Sequence, residues 1–399
     1  MSALVSFLRR VGAGLCVAVA LASPGVAQQA DPFRGNFGAI EAALPPAEAA
    51  RQAELMAKSL EAIAPERKGV TDTYVLAASL WSDPVFEREA SEGAKILARR
   101  FDAEDRTIIL SAGTGGVSRT YPVANPNNIN AAIGKIGATI NPDEDLVVVF
   151  ITSHGSPDGS VAMQEFNRLG GALRPHHLRN ALNAAGVKKR VVIVSACFSG
   201  HFILPFYDDN SLVLTAAAAD RSSFGCTPEN EWTYFGDALF NHALRSGEPL
   251  VQAFDTSLGL INKWEDKLVA DYDAMPSAQK AKSPRPVPSN PQKHVGEAVA
   301  PLVLRAQGYG LAVECAGTLS FALDRLRSNR PLKGETDAPK LEAARDSLQA
   351  QAMRLGEAVQ RTPTEVAKAI AGANRAVINA TGADLDILAE QADTCARAG

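Results

Sequence analysis

Two apolar runs without polar alternation mark the centre of the chain. Residues 146–152 read Leu-Val-Val-Val-Phe-Ile-Thr and stop at Ser153, His154 and Gly155, and residues 191–195 read Val-Val-Ile-Val-Ser and stop at Ala196, Cys197, Phe198, Ser199 and Gly200. Short, mostly β-branched runs of this kind suit parallel strands buried on both faces. The stretch between them has room for a crossover helix over 174–185, which Gly186 can end. Open α/β sheets bind ligands at the carboxyl ends of their strands. His154 and Cys197 are therefore expected on one rim, far apart in sequence and close in space.

The flanking pattern extends this arrangement. Strands are expected at 73–78, 107–110 and 211–217. Helices are expected at 85–101, where Pro84 suits a first turn, at 129–140, at 237–243 and at 254–272. Alternating strands and helices predict an α/β sandwich. Gly113, Gly115 and Gly116 form a loop, but no Lys followed by Ser or Thr makes it a phosphate cradle. Ser156, Pro157, Asp158 and Gly159 read as a tight turn. After the strand at 211–217, the polar loop Asp220, Arg221, Ser222, Ser223 falls on the same rim and is a candidate pocket wall. Residues 276–291, rich in Pro, Ser and Lys, read as an exposed connection.

Beyond residue 300 the pattern becomes helical throughout, with segments at 300–326, 339–359, 363–380 and 383–396 carrying apolar residues at three- and four-residue steps. They predict an all-helical C-terminal domain. Residues 28–68 read as an extension with one helix over 47–60, either a leader arm or a pro-segment.

Charge narrows the function classes. Forty basic and 44 acidic residues give a formal charge of -4 in a chain of 399 residues, which offers no electrostatic case for nucleic acid. Arg9 and Arg10 precede an apolar stretch over 11–22 and then small residues up to Ala27, the pattern of a secretory signal peptide cut after Ala27. The run is short for a spanning helix, so no stable membrane anchor is expected after cleavage, and the mature protein is expected in the periplasm or outside the cell. Four cysteines follow the signal: Cys197, Cys226, Cys315 and Cys395. An exported protein can hold one bridge, and Cys315 and Cys395 are the candidate pair, with two separate buried cysteines as the alternative. His176 and His177 are adjacent and point in different directions on a helix, a poor metal pair. No metal site and no cofactor is expected.

A thiol beside an imidazole is the arrangement of a nucleophilic cysteine with its base. His154 would take the Cys197 proton or hold a thiolate–imidazolium pair. Backbone N–H groups of Gly155 and Cys197 are the candidate oxyanion donors. The sequence dictates no third carboxylate. The expected substrate is a peptide or protein. A transpeptidase using the same acyl-enzyme, a non-catalytic peptide-binding relative and a structural envelope protein are the alternatives.

These two blocks, with Thr215, Ala216, Ala217, the stretch from Asp220 to Gly225, then Thr233, Tyr234, Phe235, Gly236 and residues 289–292, resemble the legumain-type cysteine peptidases, family C13. The resemblance covers about residues 70–298. It implies a caspase-like three-layer sandwich with a mostly parallel six-stranded sheet, the dyad His154 and Cys197, and an oxyanion role for Gly155. With the pattern readings above, it divides the chain into a signal peptide (1–27), an extension (28–69), the peptidase domain (70–298) and a helical domain (299–399). Relatives carry an acidic residue two positions before the nucleophile, contributing to the pocket for the side chain before the scissile bond. Ser195 stands there instead, which weakens the expectation of cleavage after Asn or Asp. Legumain also has a helical C-terminal pro-domain over its site, so residues 300–399 are expected to act as an intramolecular inhibitory cover.

Overall fold

The computed structural model describes residues 39–114, 120–245, 247–334 and 337–399. The signal-peptide reading at residues 1–27 lies outside the described residues, as do Gly115 and Gly116. In chain order the elements are β1 (Ile40–Glu41), α1 (Pro46–Glu61), β2 (Thr73–Ser79), α2 (Pro84–Arg100), β3 (Thr107–Ser111), α3 (Pro126–Thr139), β4 (Leu146–Thr152), β5 (Val161–Glu165), β6 (Leu169–Leu173), α4 (Pro175–Ala184), β7 (Arg190–Ser195) and β8 (Ser211–Thr215). Then follow α5 (Tyr234–Gly236), a π-helical segment (Asp237–Leu244), α6 (Leu250–Ala274), α7 (Ser277–Lys280), β9 (Gln292–Val295), α8 (Ala300–Arg327), α9 (Ala338–Ala358), α10 (Pro363–Val377) and α11 (Ala383–Ala398).

A six-stranded sheet of order β3-β2-β4-β7-β8-β9 forms the centre. All its pairings are parallel except β8 with β9. β2, β4 and β7 are buried along their whole length, which is why their sequences lack polar alternation. Successive side chains go to opposite faces. Tyr74, Leu76, Val147, Val149 and Val192 meet Met56 of α1, Ile129 and Ile133 of α3 and Leu178 of α4. Val75, Ala77, Val148, Phe150 and Ile193 meet Leu97 of α2, Phe240 and Phe254. The result is a three-layer sandwich.

The sequence pattern did not disclose the antiparallel hairpin of β5 and β6, with β1 added on its edge. Its apolar positions are interrupted by Gly170 and Gly171 and by the buried carboxylate of Glu165, which pairs with Arg168. Gly171 is needed there because a Cβ would stand 2.5 Å from Ala39 Cα. The helix expected over 237–243 is also rewound, as a π-helix.

Helices α8 to α11 pack around their own core, including Leu319, Leu341, Leu348 and Leu388, and Cys315 is bridged to Cys395. Arg100, fully buried at the end of α2, joins this bundle to the sheet domain: its Nε donates to Glu314 at 2.9 Å, and its guanidinium also donates to the carbonyls of Leu244 and Glu248. At Gly310 a Cβ would meet the Arg100 carbonyl at 2.2 Å, so glycine lets α8 approach α2. Arg361 pairs with Asp102 at 2.9 Å, and Arg67 donates to the Val359 carbonyl at 2.7 Å. Arg67 and Asp102 flank the starts of β2 and β3, at the amino ends of the parallel strands, whereas His154 and Cys197 follow the carboxyl ends. The expectation of a helical cover over the rim is therefore corrected: these ion pairs and the glycine contact hold the bundle at the far end of the sheet.

Candidate active site

In the register of β4 against β7, Thr152 stands beside Ser195. Ser153 N–H extends the ladder by donating to the Ser195 carbonyl at 3.1 Å. Two residues beyond the Thr152–Ser195 pair on each chain come His154 and Cys197, so parallel pairing alone sets them on neighbouring strand ends. The next residue is Gly155, where a Cβ would lie 1.8 Å from the Cys197 carbonyl oxygen. Only glycine allows this approach. The hairpin fixes the strand end from the other side, since the His154 carbonyl accepts the Ala162 N–H at 2.8 Å and Ser153 Oγ donates to the Ala162 carbonyl at 2.7 Å.

Cys197 sits at a sharp corner. Phe198 takes a left-handed backbone, φ 57°, and its N–H donates to the Arg221 carbonyl at 2.7 Å. Positive φ in a bulky residue is strained and is characteristic of functional corners. Ser199 Oγ accepts the Ala217 N–H at 3.1 Å, and a Cβ at Gly200 would stand 2.4 Å from the Ala219 nitrogen. These contacts explain the small residues after the cysteine. The N–H groups of Gly155 and Cys197 donate to no carbonyl in the described turns and loops.

The loop after β8 closes around the thiol. Ser223 N–H donates to Cys197 Sγ at 3.3 Å, and Ser223 Oγ is 3.5 Å from it. The neighbouring Cys226 thiol, then Ser223 and Ser222, favour the thiolate over the opposing effect of burial and bring the Cys197 pKa down from 9.0 to about 5. The Cys226 thiol, which donates a hydrogen bond to that sulfur, is pushed up. Of the expected pocket wall, Ser222 and Ser223 are thus partners of the thiol itself. Asp220 and Arg221 pair with each other at 2.9 Å in the exposed part of the loop.

Ser195 is placed differently from the sequence expectation. It is buried, 2% exposed, with its Oγ 3.1 Å from Thr233 Oγ1, so it lies beneath the surface rather than in a pocket wall. Beneath it is Glu89 of α2, fully buried, whose carboxylate accepts the Thr233 N–H at 3.0 Å. Burial raises the Glu89 pKa against the lowering effect of Ser195, Thr233 and Thr152. The periodicity of α2 assigned Glu89 no role.

His154 is about one-third exposed, with its Nε2 3.6 Å from Asp83 Oδ2. The rings of Trp81 and Phe86 each meet the imidazole edge-on at 4.9 Å. Asp83 sets a carboxylate beside the imidazole, where the sequence pattern dictates none. It lies just before Pro84 and outside the helical pattern of 85–101, so that pattern does not mark it. Asp83 makes no side-chain cap bond to α2, which leaves its carboxylate for the imidazole. Among the described residues no group of three or more His, Cys, Asp or Glu is placed to hold a metal ion, and no helix is long and apolar enough to cross a membrane.

Comparison with known proteins places these features. No curated protein matches the chain. Among solved structures, the crystal structure of caspase-1 from Spodoptera frugiperda is similar at 14% identity and a TM-score of 0.36, over 57% of this chain and 86% of that one. Residues 123–272 match the Peptidase C13 family. That span runs from the turn before α3 into α6 and contains both strand ends, the thiol loop and Thr233, so over these residues the chain is similar to the peptidase C13 family.

Proposed function

We propose that the chain is a cysteine endopeptidase that cleaves peptide bonds through Cys197 and His154. The observation that carries this reading is a sulfur held for ionisation by the Ser223 N–H at 3.3 Å, two residues beyond one of a pair of strand ends, with the imidazole two residues beyond the other. The Cys197 thiolate attacks the peptide carbonyl, and the oxygen that becomes negative is met by the N–H groups of Gly155 and Cys197. Collapse breaks the C–N bond, and the leaving amine takes the proton of the His154 imidazolium. Water then attacks the thioester, gives its proton to His154 and releases the acid, restoring the thiolate. Asp83 holds the ring during both transfers. The same acyl-enzyme given to an amine in place of water would make the chain a transpeptidase.

Supporting this reading by experiment begins with the thiol. Because its pKa is lowered, the thiolate persists at neutral pH and is lost as pH falls through about 5. Alkylation of Cys197 by iodoacetamide, followed by mass spectrometry of its peptide, is expected to keep a constant rate down to about pH 6 and to halve near pH 5. A midpoint near pH 9 would contradict the site. Asp83→Asn is expected to lower kcat about tenfold with little change in KM, because it removes an orienting charge and not a substrate contact. An unchanged kcat would remove Asp83 from the mechanism.

Preference for Asn or Asp before the scissile bond belongs to this proposal only as a prior from the family, since Ser195 replaces the acidic residue and is buried. A library of peptides varied at that position decides it. We further propose that the protein is exported and cut after Ala27, a reading supported by the Cys315–Cys395 bridge, which suits an oxidising compartment. Sequencing the mature amino terminus tests this; an intact Met1 start would reject it.

A further inference from the structure

A cavity of about 240 Å3 lies where the helical bundle meets the sheet domain, and none of the residues around the thiol lines it. Ile96 and Leu244 from the sheet domain and Val377 and Leu388 from the bundle give it apolar walls. Its polar groups fall into two sets. Arg99 and Glu314 are already engaged, 3.5 Å apart, and Glu314 also holds Arg100 at 2.9 Å. Arg245, Thr318 and Gln391 are not engaged. Arg245 has no ion pair or hydrogen bond among the described residues, and its Nε is closed to solvent without a partner. Thr318 is 2% exposed and Gln391 6% exposed, and their side chains also lack a hydrogen-bond partner among the described residues.

Arg245 Nε, closed to solvent without a partner, is costly to leave so, and Thr318 and Gln391 present further polar atoms to the same cavity. Water can satisfy a hydroxyl and an amide, but it does not neutralise a guanidinium. Burial and the nearby Arg99 act against the Arg245 charge, Glu92, Asp384 and Glu314 offset only part of this, and an anion in direct contact would relieve the rest. The apolar walls ask for a hydrocarbon body on the same ligand. A dianionic phosphate is disfavoured because Glu314 and Asp384 also line the space; a single carboxylate fits, and its planar geometry matches the guanidinium fork.

We propose that this cavity binds a small carboxylate carrying a compact aliphatic body, with Arg245 taking the carboxylate and Thr318 and Gln391 completing its hydrogen bonds. Such a ligand would touch α8 and α11 on one side and residue 245 on the other, so binding would tighten the docking of the bundle. Two sources share this chemistry, a free aliphatic acid and an amino acid whose ammonium would face Asp384 at the cavity wall.

Calorimetric titration of the full chain with 4-methylpentanoate, leucine and 3-methylbutylamine tests the assignment. Saturable binding of at least one carboxylate is expected, with no binding of the amine, and Arg245→Gln should weaken it at least about tenfold. Tighter binding of leucine would identify the amino acid as the source, and tighter binding of 4-methylpentanoate the aliphatic acid. Thr318→Val, which keeps the side-chain shape, should weaken binding about fivefold and serves alone if Arg245→Gln does not fold. No saturable binding by either carboxylate, equal binding by the amine, or unchanged affinity in the folded variants would overturn the proposal.

Discussion

Cys197→Ala is expected to lower peptide cleavage by about ten-thousandfold or more while leaving the fold intact. The magnitude follows from removing a covalent nucleophile, after which only oxyanion donors and substrate positioning remain. Cys197 is only half-buried at the strand corner, and the corner itself is held by the Phe198 N–H on Arg221 and by Ser199 on Ala217, neither of which uses the sulfur. The thermal midpoint should therefore move little. His154→Ala should fall nearly as far, and the double variant no further than either alone, because the two residues act as one unit. A Cys197→Ala protein that retained more than about a hundredth of the activity would place the nucleophile elsewhere.

Arg100→Ala is expected to cost about 3–5 kcal/mol of stability, the largest effect away from the site. The guanidinium is fully buried and satisfies Glu314 together with the carbonyls of Leu244 and Glu248. Truncation leaves the Glu314 carboxylate with only Arg99 at 3.5 Å and two carbonyls without their donor. A buried charge that loses its partner is far worse than a pair removed whole. Arg100→Met combined with Glu314→Met should accordingly recover much of the loss. Urea unfolding read at both tryptophan fluorescence and far-ultraviolet dichroism measures this, and the single variant should also show the bundle releasing before the sheet. A cost below about 1 kcal/mol would mean that the bundle docks by apolar contact alone.

How much of this was legible in the sequence depends on the range over which each feature is fixed. Fully buried strands such as β4 and β7 declare themselves by unbroken β-branched runs, and the neighbouring places of His154 and Cys197 follow from them because parallel register needs no side-chain information. The Cys315–Cys395 bridge was readable as a candidate from the cysteine count and the places of the two near opposite ends of the helical segment. The hairpin of β5 and β6 was not, since two glycines and a buried Glu165 break its alternation, and its position depends on Ala39 and Trp81 from distant parts of the chain. Asp83 and Glu89 were equally hidden. One reads as a helix cap and the other as an ordinary charged helix position, and only the packing of α2 against the strand ends turns the first toward His154 and buries the second beneath Ser195. The place of the helical bundle also lay beyond pattern reading. A run of amphipathic helices fixes a core, whereas the docking end is fixed by Arg100, Gly310 and Arg361, whose partners lie more than a hundred residues away.

The central claim is that Cys197 is acylated by the peptide it cleaves. The most direct measurement is acid-quenched mass spectrometry of the full chain mixed with a peptide library, reading the mass of the fragment that carries Cys197. The account predicts a transient acyl adduct on Cys197 that precedes product, vanishes on hydrolysis and is absent from Cys197→Ala. Cleavage that proceeds with Cys197 unmodified throughout, or a Cys197→Ala protein that cleaves the same peptides, would contradict it.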